Sequence, residues 1–285
     1  EYPVKFVRFI VPYAPGGSSD VLARALGQKL GEALGQSFVI DNRPGAGSMI
    51  GTDVAAKATP DGYTLIVVYH QHTVNAALNP KLPYKVLDDF TPITQLTAAG
   101  LLLLVNPSSP PKTLKEFVEW TRNYKGPLNF GSAGIGSGGH LAGELYNLMA
   151  GVKAQHIPYK GTGPALIDLI GGQYQYNFAG MAGAVPMMRS GKLRGIAVTA
   201  PKRLGALPDV PAMAEALPGF EIVGWYGVFG PAKLPKPIVT RLHDEIVKIL
   251  QRPDVKDVIA SDGGEPVGNT PEEFRKFLDA DVAKW

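Results

Sequence analysis

The chain has 285 residues, which is enough for one or two domains with a sizeable buried core. Hydrophobic residues make up 45% of it and charged residues 19%, a balance typical of a globular protein that excludes an intrinsically disordered one. The formal net charge of +3 comes without a run of basic residues, so we expect no nucleic-acid partner. The absence of cysteine excludes disulfides, thiolate metal ligands and cysteine nucleophiles.

A glycine-rich loop between a predicted strand and a predicted helix is the first informative pattern. Residues 4–11 are rich in valine, phenylalanine and isoleucine and predict a buried strand, and residues 20–34 carry an apolar stripe that predicts a helix. The loop between them contains Gly16-Gly17-Ser18. Its backbone N–H groups and the positive end of the helix dipole form an arrangement that binds anions.

The same arrangement occurs again more than a hundred residues later, between a predicted strand at 128–130 and a predicted helix at 140–150. Its loop contains Gly134-x-Gly136-x-x-Gly139, which matches the dinucleotide-binding fingerprint. That fingerprint needs an acid at the end of the next strand, whereas Lys160 stands there and could accept a 2′-phosphate. An NADP-linked oxidoreductase using the Gly134–Gly139 loop is therefore one alternative. Two anion-binding loops favour a binding protein that holds an anion from both sides.

The remaining segments predict an α/β protein. Strands at 38–41 and 63–69 surround a short helix that ends near residue 58, so the first part alternates β-α-β-α-β, which is typical of a mostly parallel sheet covered by helices. A second α/β series follows the second loop and ends near residue 199. A strand and three helices complete the chain, and they are predicted at 223–230, 238–251, 253–262 and 271–285.

Two proline-rich stretches, at 106–111 and 231–237, indicate where the chain passes between domains. The predicted organisation places residues 1–104 and 223–285 in a first lobe and residues 105–222 in a second, with crossovers near 105 and 222. Two crossovers form a hinge, and a hinge suits a protein that closes on a ligand. We therefore expect the ligand cleft between the lobes.

The third predicted strand ends in Tyr69-His70-Gln71-His72, and strand alternation predicts that His70 and His72 share one face. A metal site would need a third ligand, which no recognisable spacing supplies, so we expect no metal and favour a role in lining the cleft. The sequence contains no nucleophile elbow, no phosphate-binding Walker loop and no His-Glu-x-x-His helix. We expect no enzymatic activity and no cofactor.

Many spaced motifs resemble those of the Bug family, the periplasmic solute-binding proteins of tripartite tricarboxylate transporters. The resemblance covers essentially the whole chain. The motifs that carry it are Ile10 to Asp20, Asn42 to Gly47, Pro60 to Leu65, Leu82 to Tyr84, Gly134 to Leu141, Pro158 to Gly161, Gly191 to Arg194, Gly263 to Pro266 and Thr270 to Phe274.

Membership implies a two-lobed periplasmic-binding-protein fold of the second type, with mixed sheets flanked by helices and two hinge crossovers. It also implies a small organic carboxylate as ligand and the membrane permease subunits of such a transporter as partners. We expect a monomer in the periplasm, in a mature form from which a signal peptide has been removed. A carboxylate sensor that acts through a signalling partner is a further alternative.

The resemblance and the two loops together define one candidate set of ligand-binding residues. The set is Tyr13, Pro15, Gly16, Gly17, Ser18, Asp20, Tyr69, His70, Ser132, Ala133, Gly134, Gly136, Ser137, His140, Tyr159, Phe178 and Ala179. Many relatives carry an acid or amide near residues 178–183, where it would suit an amino group, but this segment is small and apolar here. The sequence thus favours a plain mono- or dicarboxylate, aromatic acids included, over an amino acid.

Overall fold

The fold is taken from a computed structural model that describes residues 2–13, 15, 16, 18–159 and 161–285, with only the backbone of Ala182. Gly17 and Lys160, which the sequence singles out, lie outside the described residues. Up to residue 105 strands and helices alternate. The elements are β1 (Val7–Val11), α1 (Ser18–Leu34), β2 (Phe38–Asn42), α2 (Met49–Ala56), β3 (Thr64–Tyr69), α3 (Gln71–Leu78) and β4 (Phe90–Val105).

The second part of the chain repeats the alternation and then ends in helices. Its elements are α4 (Leu114–Arg122), β5 (Asn129–Ser132), α5 (Gly138–Ala150), β6 (Gln155–Pro158), α6 (Thr162–Ile170), β7 (Tyr176–Gly180), α7 (Met181–Arg189), β8 (Arg194–Val198), a 3-10 turn (Met213–Glu215), β9 (Val223–Pro231), α8 (Lys236–Leu250), α9 (Pro253–Ser261), β10 (Gly264–Pro266) and α10 (Pro271–Lys284).

The chain divides into two compact units. Unit 1 consists of Glu1–Ala98 and Trp225–Trp285, and unit 2 consists of Ala99–Gly224. The chain passes from unit 1 to unit 2 within β4 and returns near the start of β9.

The sheet of unit 1 gathers several strand ends at one edge. Its strand order is β2-β1-β3-β9-β4, and β10 also pairs with β4. Strands β1, β2 and β3 are parallel, so their carboxyl ends at Val11, Asn42 and Tyr69 lie at the same edge. Strand β9 runs antiparallel to β3 and places Tyr226 opposite Tyr69. The first glycine-rich loop follows β1 and therefore lies at this edge.

The core of unit 1 has two layers because successive side chains of a strand point to opposite faces. On one face, Val7, Phe9 and Val11 pack with α1 and α8. On the other face, Ile10 and Ile66 pack with an aromatic group that includes Trp225, Phe229 and Phe274. Helices on both faces explain why residues 9–11 of β1 and residues 65–69 of β3 are continuous apolar runs rather than alternating ones.

The sheet of unit 2 also gathers the carboxyl ends of parallel strands at one edge. Its strand order is β4-β7-β5-β6, and β8 also pairs with β4. Strands β5, β6 and β7 are parallel, so Ser132, Pro158 and Gly180 end at one edge, where the second loop begins. Strands β7 and β8 pair antiparallel with β4.

Aromatic side chains dominate one face of unit 2. Phe117 of α4, Tyr146 of α5 and Tyr176 of β7 have ring centroids 5.2–5.7 Å apart. Helix α5 approaches this layer at Gly143, where a methyl group would overlap the ring of Phe130. A residue without a side chain is therefore required for α5 to pack on β5.

Three local elements differ from what the sequence predicts. Residues 71–78 form helix α3, for which no element was predicted, because its buried face includes the polar residues His72 and Asn75 and carries no continuous apolar stripe. The apolar run at residues 99–105 predicts a strand from the sequence, but strand β4 begins earlier, at Phe90. Its first half mixes threonine and glutamine with apolar residues and so gives no clear strand pattern. Strand β10 was also missed.

We expect Gly143→Ala to lower the free energy of unfolding by about 1–3 kcal/mol, because the added methyl group overpacks the contact with Phe130. Gly163→Ala in α6 is the matched control, since nothing lies within 4 Å of its Cβ position and alanine favours a helix. Urea unfolding of both variants measures the difference. Equal stability of the two variants would contradict the packing argument.

Candidate functional site

The first loop is held by the carboxylate of Asp20, which is 3% exposed. The backbone N–H of Gly16 and the Arg24 guanidinium donate to its Oδ2, each at 2.9 Å, and the Asn42 amide donates to Oδ1 at 3.0 Å. The hydrogen bond from Arg24, more than any other contact, lowers the pKa of Asp20 to about 2. Asp20 therefore stays ionised, and its oxygens already accept hydrogen bonds from the loop, from α1 and from β2.

Tyr13 ties the same loop to the ends of two strands. Its hydroxyl accepts the backbone N–H of Tyr69 at 3.3 Å, and its carbonyl accepts the side-chain amide of Asn42 at 3.1 Å. Burial raises the pKa of Tyr13 to about 12. Gly16 adopts a φ of +84°, which favours glycine, and Pro15, Gly16 and Ser18 are exposed.

A carboxylate that the sequence analysis missed lies beside Ser18. The Ser18 hydroxyl donates to Oδ1 of Asp262 at 2.9 Å, and Asp262 caps the carboxyl end of α9. Burial raises the pKa of Asp262, while hydrogen bonds from Ser18 and Tyr226 act in the opposite direction. Asp262 reaches the loop because α9 packs against α1, and no local sequence pattern indicates this position.

Aromatic rings cover the end of β3. The ring centroid of Tyr69 lies 4.8 Å from that of Tyr226 and 4.0 Å from that of His70. His70 is 2% exposed, and neither ring nitrogen has a hydrogen-bond partner among the described residues. Burial lowers the pKa of His70 to about 3, so its ring is neutral at physiological pH.

The prediction that His70 and His72 share a strand face is wrong. Strand β3 ends at Tyr69, and His70 caps the amino end of α3. His72 lies in α3, is 1% exposed, and its Nε2 lies 2.9 Å from the carbonyl oxygen of Val86, to which it donates. His72 is therefore a core residue of unit 1.

The second loop is held by the hydroxyl of Ser132, which is fully buried. It accepts the backbone N–H of Gly134 at 3.1 Å and lies 2.7 Å from Nε2 of His156. Ser132 was expected to donate to a ligand, but the structure turns its hydroxyl into the loop. His156 was not singled out from the sequence, because only the pairing of β5 with β6 brings it to Ser132.

Ser137 and His140 form the start of α5. The Ser137 hydroxyl accepts the backbone N–H of His140 at 3.3 Å, and within the described part of the chain its own proton has no acceptor. Nδ1 of His140 accepts the backbone N–H of Gly136 at 3.1 Å, and its ring stacks on that of His156 at 4.1 Å. Burial lowers the pKa of both histidines, that of His156 to about 4, so both rings are neutral at physiological pH.

The other candidates of unit 2 differ in accessibility. Ala133 and Gly134 are half-buried in the loop. The Tyr159 hydroxyl donates to Asp168 at 2.7 Å, and burial, followed by Asp168, raises its pKa to about 12. Phe178 and Ala179 are 2% and 3% exposed and lie in the core of unit 2, so only their backbone could meet a ligand.

The dinucleotide fingerprint has a packing role in this chain. A methyl group at Gly139 would overlap the carbonyl oxygen of Phe178, so this glycine allows α5 to approach β7.

Across the described residues, no group of three histidine, aspartate or glutamate side chains could hold a metal ion.

Residues 22–285 match the family described as tripartite tricarboxylate transporter family receptor (TctC). The chain belongs to this family. It is 37% identical to protein BugT of Bordetella pertussis over 287 residues, which covers 100% of this chain and 88% of that protein.

Three solved structures show the same relationship. The periplasmic binding protein BugD is 32% identical with a TM-score of 0.84, covering 100% of this chain and 96% of that one. Rpa4515 of R. palustris with adipate is 34% identical with a TM-score of 0.87, covering 100% and 96%. MatC (Rpa3494) from Rhodopseudomonas palustris with bound malate is 36% identical with a TM-score of 0.84, covering 100% and 98%.

These relationships confirm the Bug-family resemblance and the two-lobed periplasmic-binding-protein fold. The TctC-family chain is a solute-binding receptor rather than an enzyme, so the NADP-linked oxidoreductase alternative is wrong. Binding proteins of this family are periplasmic. None of the helices in the described part of the chain has both the length and the apolar character that a membrane span needs.

The depressed pKa of His70 makes the stability of the protein depend on pH. The pKa of about 3 lies below the ordinary value of about 6.5, so between these values the unfolded chain binds more protons, and stability falls as pH falls. We expect His70→Phe to reduce this slope by roughly 1.4 kcal/mol per pH unit below pH 6. Urea unfolding of both proteins from pH 5 to 8 measures it.

The control lies in the same data, since between pH 7 and 8 the imidazole is neutral in both the folded and the unfolded chain. The two slopes should agree there. Identical slopes between pH 5 and 6 as well would show that His70 does not titrate on unfolding.

Proposed function

We propose that this receptor binds a small organic carboxylate between its two units and delivers it to the permease subunits of a tripartite tricarboxylate transporter. The observation that carries the proposal is that each unit has, at one edge of its sheet, a glycine-rich loop that leads into a helix. Each loop is fixed by an acceptor of its own unit. Such loops direct backbone N–H groups towards an anion.

In unit 1 the ligand carboxylate would meet the backbone N–H groups at the start of α1, beside the exposed residues Gly16 and Ser18. The N–H of Gly16 and the hydroxyl of Ser18 already donate to Asp20 and Asp262. Asp20 acts beneath the loop as a positioning residue, because its oxygens already accept from Gly16, Arg24 and Asn42. A loop that is organised before binding loses little entropy when a ligand arrives.

In unit 2 we assign the main donor role to Ser137. Its hydroxyl proton has no acceptor among the described residues while its oxygen caps α5, and a hydrogen bond from it to a carboxylate is charge-assisted. The neutral rings of His140 and His156 add hydrogen-bonding atoms without a fixed charge. Ser132 supports the loop from inside.

Two observations support the ligand class: an aromatic ring lies beside the first loop, and related structures contain bound dicarboxylates. The half-buried ring of Tyr69 packs on the buried ring of Tyr226 beside the first loop, and an aromatic ring in this position suits a ligand with a hydrocarbon chain or a ring. The related structures carry adipate and malate, both dicarboxylates. We infer a mono- or dicarboxylate, aromatic acids included, as the ligand.

The two passages of the chain between the units are the proposed hinge. They lie within β4 and near the start of β9. Bending of the backbone at these two passages would permit closure on a ligand, and we expect the permease to recognise the closed form. We propose that the receptor acts as a monomer in the periplasm.

A thermal-shift screen tests the ligand class. The acids are succinate, malate, adipate, benzoate and the phthalate isomers, and NAD and NADP are the controls. A ligand at a hundredfold over its Kd adds roughly 2.7 kcal/mol of stability, so we expect a clear rise in Tm with a subset of the acids and none with the nucleotides. No shift with any acid would reject the proposal.

A pair of helix-cap variants tests the role of Ser137. Ser137→Ala and Thr113→Ala each remove an amino-terminal cap in unit 2, with similar cost to stability, about 1 kcal/mol. We expect only Ser137→Ala to weaken binding of the acid found in the screen, by about tenfold in calorimetric Kd, because it loses a charge-assisted hydrogen bond. Equal Kd values for both variants would remove Ser137 from the site.

A further inference from the structure

A carboxylate with no ion-pair partner among the described residues lies against the first loop. Asp262 accepts a hydrogen bond of 2.9 Å from Ser18, the first residue of α1, and the hydroxyl of Tyr226 in β9 lies close enough to influence its pKa. Asp262 itself ends α9, which packs along α1. Three elements of unit 1 thus meet at this carboxyl group.

The surroundings of Asp262 differ from those of the other acids near the loop. Asp20 is paired with Arg24 at 2.9 Å, and Asp41 with Arg43 at the same distance. Among the described residues no cation lies within ion-pair distance of Asp262, and its titratable neighbours are the phenols Tyr69 and Tyr226. An ionised carboxylate that is partly buried without a cation is costly, which is why its pKa is raised.

This arrangement affects any anion that the first loop holds. A ligand carboxylate at Gly16 and Ser18 would lie close to the carboxylate of Asp262, and like charges at short range repel. A hydroxyl or ammonium group beside the ligand carboxylate would relieve the repulsion by donating to Asp262. An unpaired charge of this kind discriminates against ligands that cannot satisfy it.

We propose that Asp262 is a specificity-determining residue that selects carboxylates carrying a hydrogen-bond donor, a hydroxyl or an ammonium group, next to the carboxylate held by the first loop. The inference rests on the proposed function. It differs from the sequence-based preference for plain acids, which considered only the apolar segment near Phe178 in unit 2. The group that recognises a donor lies in unit 1.

The experiment compares acids that share a skeleton and differ only in the substituent beside the carboxylate. The aliphatic series is succinate, malate and aspartate, and the aromatic series is phenylpropionate, phenyllactate and phenylalanine. Calorimetric Kd values are measured for the wild-type protein and for Asp262→Asn, which keeps the size of the side chain and an acceptor for Ser18 but removes the charge.

We expect the wild-type protein to bind the donor-bearing acids of at least one series more tightly than the plain acid. Asp262→Asn should reduce this preference by at least about tenfold, chiefly because the plain acid binds more tightly once the charge is gone. Asp254→Asn is the matched control, since Asp254 lies on the same helix but is paired with Lys29 and Arg252. It should leave the preference unchanged.

Three outcomes would overturn the inference. If Asp262→Asn leaves the preference unchanged, or weakens the binding of all acids equally, Asp262 only supports the loop. If the asparagine variant does not fold, Asp262→Ala gives the same comparison. A wild-type preference for the plain acids would contradict the proposal directly. Absence of binding by acids of every kind would instead reject the proposed function, and this inference with it.

Discussion

The geometry of the first loop depends on the buried carboxylate of Asp20. It joins the loop backbone at Gly16, the helix α1 at Arg24 and the strand β2 at Asn42. Because the Asn42 amide also donates to the carbonyl of Tyr13, the same hydrogen bonds reach the residue that accepts the N–H of Tyr69 at the end of β3. One ionised group thus fixes three strand ends relative to one helix, and the arginine keeps it ionised.

The second loop is also fixed by a buried hydrogen-bond acceptor, but this acceptor is neutral. The buried hydroxyl of Ser132 accepts the N–H of Gly134 and is itself held by His156. In each unit an internal acceptor consumes one N–H group of the loop and so determines the direction of the others. The two loops differ in what stands beside them, since Asp262 adds negative charge in unit 1, whereas His140 and His156 are uncharged in unit 2.

Much of the fold follows from local sequence patterns. The apolar runs of β1 and β3 and the stripe of α1 predict buried strands and a covering helix, and the glycine-rich loops between them are equally visible. Helix α3 does not follow, because its buried face contains His72 and Asn75, whose burial depends on partners elsewhere in unit 1.

The candidate site follows from the sequence only in part. The sequence identifies the two loops but not whether a hydroxyl proton is free, which separates Ser132 from Ser137. His156 and Asp262 reach the loops through strand pairing and helix packing, neither of which has a local sequence pattern. Phe178 and Ala179 have the right position in the chain, but their side chains are needed in the core.

The discontinuity of unit 1 has a consequence for biosynthesis. Unit 2 is one continuous segment and can be complete when residue 224 has been made, whereas unit 1 lacks β9 until after that point. Until β9 arrives, β3 has an unpaired edge from Ile66 to Tyr69, the kind of apolar strand edge that promotes pairing with other chains. The unit that begins the chain is thus the last to become whole, and its nascent form is the one that most needs protection from aggregation.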